Sequence, residues 1–566
     1  DPRAGYPQSE GTTPMRRFRK LALAVAGGLM VTVLAACGGG STSSAGASGT
    51  LTIANESGGL WTCSFNPFNG SVNFLSVGDI YEPLVFVNTL KNDQTSPWLA
   101  TKWAWSNGNK TLTFTIRDGV KWSDGQAMTA ADVAFTYNLL KKNAALDLNS
   151  VWSVLTSVAQ QGTNQVVMNF KSAAVPYFYY IADQTPIVPQ HIWSTIKDPV
   201  HYADAKPVAT GAYQVNPCTP QNITLTANKN YWQPGLPKVA KVLYPAFTSN
   251  DPANNYLATG QAQWGSQFIP NIDAFYAKKS PDHHYWFPPT AQVSLFPNLK
   301  VAPLDDQTVR QALAYAVDRN KASSIGEYGY EPAGNQMGVV TPTFESWVTP
   351  EAKSANVYKY DPAKVASLLE GDGYHKGSDG IYVSASGKKL SFHVIDIGDY
   401  SDWVASVQTL VQTAKAAGIE LIPDNLSSDD YDNKLFNGQF DIAYYAETGG
   451  PAPYYEMRQW LYSANGAPIG QQASSNFERY SDPQTDALLD QYGATTDQNQ
   501  QKQIIGQLEQ TMLTKVPVIP ITESVNWFQY DTSHFTGWPT PQNQYALPSA
   551  FQIPDMGQVL LHLQPK

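Results

Sequence analysis

The chain has 566 residues, enough for two or three structural units and a sizeable core in each. Its formal net charge is -10 and the only basic cluster lies between Arg16 and Lys20, which excludes nucleic acid as the expected partner. Charged residues make up 15% while aromatics reach 12%, more rings than cores alone require, and Tyr and Trp are the side chains that line ligand clefts. For most single rings, packing remains the better reading.

Residues 1–14 have no signal character and read as an upstream extension before Met15. Arg16, Arg17, Arg19 and Lys20 then form a positive start, residues 21–33 an apolar middle, and Leu34-Ala35-Ala36-Cys37 a small-residue end. The apolar run falls short of the roughly 20 residues that span a bilayer and contains Gly27-Gly28, so residues 15–36 read as a signal peptide. The ending resembles the lipobox of bacterial lipoproteins. That resemblance implies cleavage before Cys37, a diacylglycerol on its thiol, and anchoring to the outer face of the cell membrane. Residues 37–49, nearly all Gly, Ser, Ala and Thr, read as a flexible tether. No later segment has transmembrane length.

Residues 50–54 form a predicted strand through which the chain enters a sheet at its edge, followed by a turn at 66–70. Residues 103–117 carry period-two alternation around Asn107-Gly108-Asn109, a hairpin pattern. A second turn spans 118–125, and Thr129 is placed to cap a helix running through Asp132, Val133, Phe135, Thr136 and Leu139. With Cys37 set aside, Cys63 and Cys218 are an even pair in an oxidising compartment and are expected to form a disulfide, the alternative being two separate buried thiols.

The stretch from Pro97 to Leu140, with Val120-Lys121-Trp122-Ser123-Asp124-Gly125 and Thr129-Ala130-Ala131-Asp132-Val133, resembles the signature region of the family 5 extracellular solute-binding proteins. Further matches are Pro189-Gln190-His191-Ile192-Trp193, Gly211-Ala212-Tyr213, Asn228-Lys229-Asn230-Tyr231-Trp232, Asp305 to Arg319, Gly418-Ile419-Glu420-Leu421 and Tyr480-Ser481-Asp482-Pro483. These are the dipeptide, oligopeptide and nickel receptors of ABC importers. Most of the motifs read as architectural. In the Asp305 segment an aspartate serves the helix start, and Val309, Ala312, Leu313, Ala316 and Val317 form one apolar stripe.

The resemblance implies an α/β, two-lobe periplasmic-binding-protein (Venus flytrap) fold of the peptide-binding type, with an extension subdomain on lobe I. Mapped on this chain, lobe I is expected at 50–290 with its extension near 90–205, lobe II at 291–522, and a return to lobe I at 523–566. It implies a monomeric receptor without cofactor or metal, whose partners are a ligand and the permease and ATPase subunits of an importer. Peptide receptors of the family fix the ligand's amino terminus on an aspartate in a Gly-Trp-x-x-Asp segment. The equivalent stretch here, from Tyr444 and Tyr445 through Glu447, Thr448, Gly449 and Gly450 to Tyr454, has no such Asp, and Glu447 becomes the candidate counter-ion. Oligopeptide is the first expectation. Oligosaccharide is the alternative, with Trp61, Trp264, Trp403 and Trp527 as candidate stacking rings.

An enzyme, such as a secreted glycosidase with an acid–base carboxylate pair, is the reading from another class. No Gly-x-Ser-x-Gly, His-Glu-x-x-His or nucleophilic cysteine motif supports it. Asp429-Asp430 and Asp282-His283-His284 lack ligand spacing for a metal and read as solvated turns.

Overall fold

The computed structural model describes residues 47–55, 59–92, 94–247, 249–398 and 400–566. The expected signal peptide and Cys37 lie outside the described residues, as does most of the expected tether. That tether ends earlier than its composition suggests, because Ser48 and Gly49 already belong to the strand Ser48–Ala54, where Ser48 pairs with Val239.

Ser48–Ala54 also lies inside its sheet and not at the edge. It runs parallel to Val239–Pro245 on one side and Trp264–Gly265 on the other, because the chain returns twice to flank it. The seven-stranded sheet runs in the order His283–Tyr285, Gln529–Asp531, Trp264–Gly265, Ser48–Ala54, Val239–Pro245, Asn222–Ala227, Tyr213–Thr219. Cys63 and Cys218 are joined by a disulfide that ties the segment after the first strand to the outermost one. This is the core of the first lobe.

A four-stranded antiparallel sheet extends that lobe, with Ala100–Ser106 and Thr111–Ile116 as the expected hairpin around Asn107 and Asn109, both at positive φ. The helix Ala130–Lys142 begins in a capping box: Thr129 Oγ1 accepts from Ala131 N, and Asp132 Oδ2 accepts from Thr129 N at 2.8 Å. Trp122 is fully buried and Asp124 holds the turn, accepting from Gln126 N and meeting His191 Nε2 at 2.8 Å.

The second lobe is a five-stranded mixed sheet in the order Glu420–Leu426, Ser391–Ile397, Ile442–Ala446, Pro289–Pro297, Ile519–Val525. Ser391–Ile397 and Glu420–Leu426 are parallel and joined by the helix Ser401–Ala417, so Gly418, at φ 97°, is the left-handed stop that turns the chain into the next strand. The helix Gln307–Ala316 starts at Asp306, whose Oδ1 accepts from Thr308 N, and it buries Val309, Ala312, Leu313 and Ala316. Helices cover both faces of the sheet. Consecutive residues therefore feed opposite cores: Leu295, Val394 and Tyr444 one, Phe296, Ile395 and Tyr445 the other.

Two segments connect the lobes side by side. His283–Tyr285 continues into Pro289–Pro297, and Ile519–Val525 into Gln529–Asp531, the pairs being antiparallel in both sheets. Between them Trp286 N donates to Phe528 O and Asn526 N to Pro288 O. His283 thus lies in a strand and not in a solvated turn: it is buried, stacked on Tyr276 at 4.4 Å, with Nδ1 on Tyr276 O. Asp429 and Asp430 sit in the first turn of the helix Ser428–Asn437.

Candidate ligand-binding cleft

The lobes touch on both sides of an interlobe cavity of about 130 Å³. On one side the extension meets the second lobe: Val175 N donates to Gly493 O at 2.9 Å, Tyr455 Oη to Pro176 O at 2.9 Å, and the Tyr179 and Tyr180 rings lie edge-on to Tyr455. On the other, Ile272 N donates to Tyr330 Oη at 2.9 Å. A larger hollow of about 500 Å³ beside Asn271 and Phe275 belongs to the first lobe alone.

From the first lobe the cavity wall takes Thr89, Leu90, Tyr179 and Gln184, and from the returning chain Leu547 and Gln552. The opposite wall is Thr290, Thr343, Phe344 and the expected segment Thr448, Gly449 and Gly450. None of these side chains carries a charge. Thr89 Oγ1 is buried with no hydrogen-bond partner among the described residues, so its hydroxyl is available to a polar ligand. Thr343 is held by donating to Pro289 O, and the Thr448 carbonyl accepts from Gln459 Nε2. Gly449 has no room for a side chain: a Cβ there would overlap the carbonyl oxygen of Thr290, and one at Gly450 would overlap the Tyr455 ring. The two glycines let the loop press against the connecting strand at Thr290 and against Tyr455 of the helix Pro453–Leu461.

Carboxylates stand behind the walls. Val87 N donates to Asp183 Oδ1 and Leu547 N to Asp555 Oδ1, while Asp183 Oδ2 accepts from Gln184 Nε2, so this acid pair positions two wall residues. Burial pushes Asp555 up to about 8, and burial with the Asp555 charge holds Asp183 well above the carboxylate range. On the second lobe Glu456 and Glu523 bracket Gln292, accepting from its backbone and side-chain nitrogens. Burial raises both, and the neighbouring charges of Glu447 on Glu456 and of Glu456 on Glu523 add to it. Among the described residues no group of three or more His, Cys, Asp and Glu is arranged to hold a metal.

Glu447, 2% exposed, is turned into this acidic interior and does not line the cavity. Tyr444 and Tyr445 fill the two cores of the second lobe, because their strand is covered on both faces. Tyr454 is buried and stacked on Tyr492 at 4.1 Å, at the contact with the extension. Trp264 is not on the cleft either: it is fully buried, its Nε1 on Pro548 O and its ring edge-on to Trp538. Trp61 packs on the first-lobe core with Nε1 on Tyr244 O, and Trp403 bridges the two second-lobe clusters beside Tyr444 and Tyr400. Trp527 stays half-buried in a ring cluster that joins the lobes. Sequence reasoning missed Thr89, Gln184, Thr290, Thr343 and Gln552, short neutral residues in no motif. The aromatic run Tyr177-Phe178-Tyr179-Tyr180 was the one visible pointer to the first-lobe wall.

Two α/β lobes joined by paired strands, with a cavity between them and contacts on both flanks, are the architecture of a solute-binding protein. The chain belongs to the bacterial extracellular solute-binding proteins, family 5, whose profile (family 5 Middle) matches residues 94–468. It is 24% identical over 531 residues to the oligopeptide-binding protein OppA of Bacillus subtilis (strain 168), covering 86% of this chain and 91% of that one. The crystal structure of a periplasmic oligopeptide-binding protein of an oligopeptide ABC transporter from Thermotoga maritima superposes with a TM-score of 0.82 at 25% identity, covering 91% of this chain and 99% of that one. The same Thermotoga protein with mannohexaose bound superposes with a TM-score of 0.76, at 25% identity and 91% and 98% coverage. The protein is thus the extracytoplasmic ligand-binding component of an ABC importer, and not an enzyme.

Proposed function

We propose that this receptor captures a neutral oligosaccharide between its lobes and presents it to a membrane permease, held near that permease by a lipid on Cys37. The observation that carries the ligand class is the uncharged wall: hydroxyls of Thr89, Thr290, Thr343 and Thr448, amides of Gln184 and Gln552, and the rings of Tyr179 and Phe344. Such groups match a polyol, whereas the ammonium and carboxylate ends of a free peptide call for ionic partners. Glu447, the candidate for that role, is buried behind the wall. Closure is a population shift: a micromolar ligand supplies roughly 8 kcal/mol, ample to select a closed form lying a few kcal/mol above the open one.

Oligopeptide is the second reading, favoured by the 24% identity that runs the length of an oligopeptide-binding protein. Calorimetry with mannohexaose, cellohexaose and tri- to pentapeptides separates the two. Saccharide binding that survives Glu447→Gln is the expected outcome. Peptide binding weakened by roughly 1.5–3 kcal/mol in that variant, the scale of a charge-assisted hydrogen bond, would replace it with the second reading.

A further inference from the structure

Rings from both lobes meet at the rim on the Ile272 side. Phe268 and Phe287 lie edge-on to Trp527 at 5.7 and 4.7 Å, and Tyr330 contacts all of them at 5.7–6.2 Å. Tyr328 lies 6.0 Å from Tyr330 at an interplanar angle of 21° and is 55% exposed. Its backbone is left-handed, φ 55°, followed by Gly329 at φ 74°. A bulky residue stays in that conformation only where its surroundings hold it. Here they do: Ser406 Oγ donates to Glu327 Oε1 and Thr522 Oγ1 to Glu331 Oε2, both at 2.9 Å, pinning the turn on either side of the tyrosines.

None of these rings lines the cavity, but two chain segments link the rim to its wall. Gln552 of the wall accepts from Asn526 Nδ2 at 3.2 Å, and Asn526 directly precedes Trp527. Phe287 stands three residues before Thr290 of the same wall, about 10 Å along an extended chain.

We propose that the exposed face of Tyr328, backed by Tyr330 and Phe268, is an outer stacking platform for the far end of an oligosaccharide whose inner units occupy the interlobe cavity. The inference rests on the saccharide reading of the cavity. A flat apolar ring suits the C–H face of a pyranose, and the rings Phe268, Phe287, Tyr328, Tyr330 and Trp527 carry no charge, as a neutral chain requires.

Calorimetry on wild type, Tyr328→Ala and Tyr328→Phe with manno- and cello-oligosaccharides of two and six units tests it. Tyr328→Ala should weaken the hexasaccharide that binds by about 3- to 10-fold while leaving its disaccharide within about twofold, and Tyr328→Phe should bind both as wild type does. Unchanged hexasaccharide affinity in Tyr328→Ala, or an equal loss for both lengths, overturns the platform while leaving the cavity reading intact. If wild type binds none of these saccharides, both fall.

Discussion

Asp555 shows how one side chain can tune a cleft it does not line. Its carboxyl accepts from Leu547 N and is held up at about 8 by burial, far above the 3.8 of a free aspartate. The folded state therefore keeps a proton that the unfolded state releases. Between about pH 4 and pH 8 the unfolded chain binds fewer protons, so stability falls as pH rises, by about 1.4 kcal/mol per pH unit for one such group, and levels off above pH 8. Asp555→Asn retains an acceptor for Leu547 N and has no proton to lose. Denaturant unfolding from pH 5 to pH 8 should show a slope shallower by about one proton in this variant, and an unchanged slope would reject the assignment. Nothing in the sequence around Asp555 announces this, because the acid is raised by what folds over it. The same holds for Trp264 and Tyr444: an amphipathic ring suits a cleft and a core equally, and burial decides between them only in three dimensions.

Among the elements, the helix Pro453–Leu461 holds the second lobe against the extension through Tyr455, whose hydroxyl reaches Pro176 O. Tyr455→Phe keeps the edge-on contacts with Tyr179 and Tyr180 and removes that bond, which is worth about 0.5–1.5 kcal/mol. Because the bond exists only when the lobes meet, the variant should weaken every ligand alike, by up to about tenfold, while the unliganded protein, already open, keeps its dimensions in small-angle scattering. Unchanged affinity would mean the contact is not coupled to closure. Local signals made several elements legible in advance: the Thr129–Asp132 capping box, the Asn107–Asn109 turn and the Asp306 cap each use groups a few residues apart. The cleft did not share that legibility. Its walls join Thr89, Thr290 and Gln552, brought together by topology, and the side-chain parity of Ile442–Ala446 carried no signal because both faces of that strand are buried.

At the scale of the molecule, the motifs spread from Pro97 to Pro483 identified the family because they encode caps, turns and packing that the whole fold needs, while most of the candidate cleft wall lies outside them. The disulfide acts at this scale too. It closes a loop spanning 155 residues within the first lobe, and in the chain-entropy account its removal costs up to about 5 kcal/mol. Cys63→Ser with Cys218→Ser should lower the melting temperature while ligand affinity at 25 °C stays within about twofold, since neither cysteine lines the cavity; an undiminished melting temperature would show the bridge to be dispensable. The paired connecting strands carry a consequence for biogenesis. The first lobe is interrupted by the second, and its strand Gln529–Asp531 sits between Trp264–Gly265 and His283–Tyr285. As the chain is made and exported amino end first, the second lobe has all its strands while the first still lacks an interior one. Until that late strand emerges, the backbone groups of Trp264–Gly265 and His283–Tyr285 lack their sheet partner, and the nascent receptor must be shielded from pairing with its neighbours.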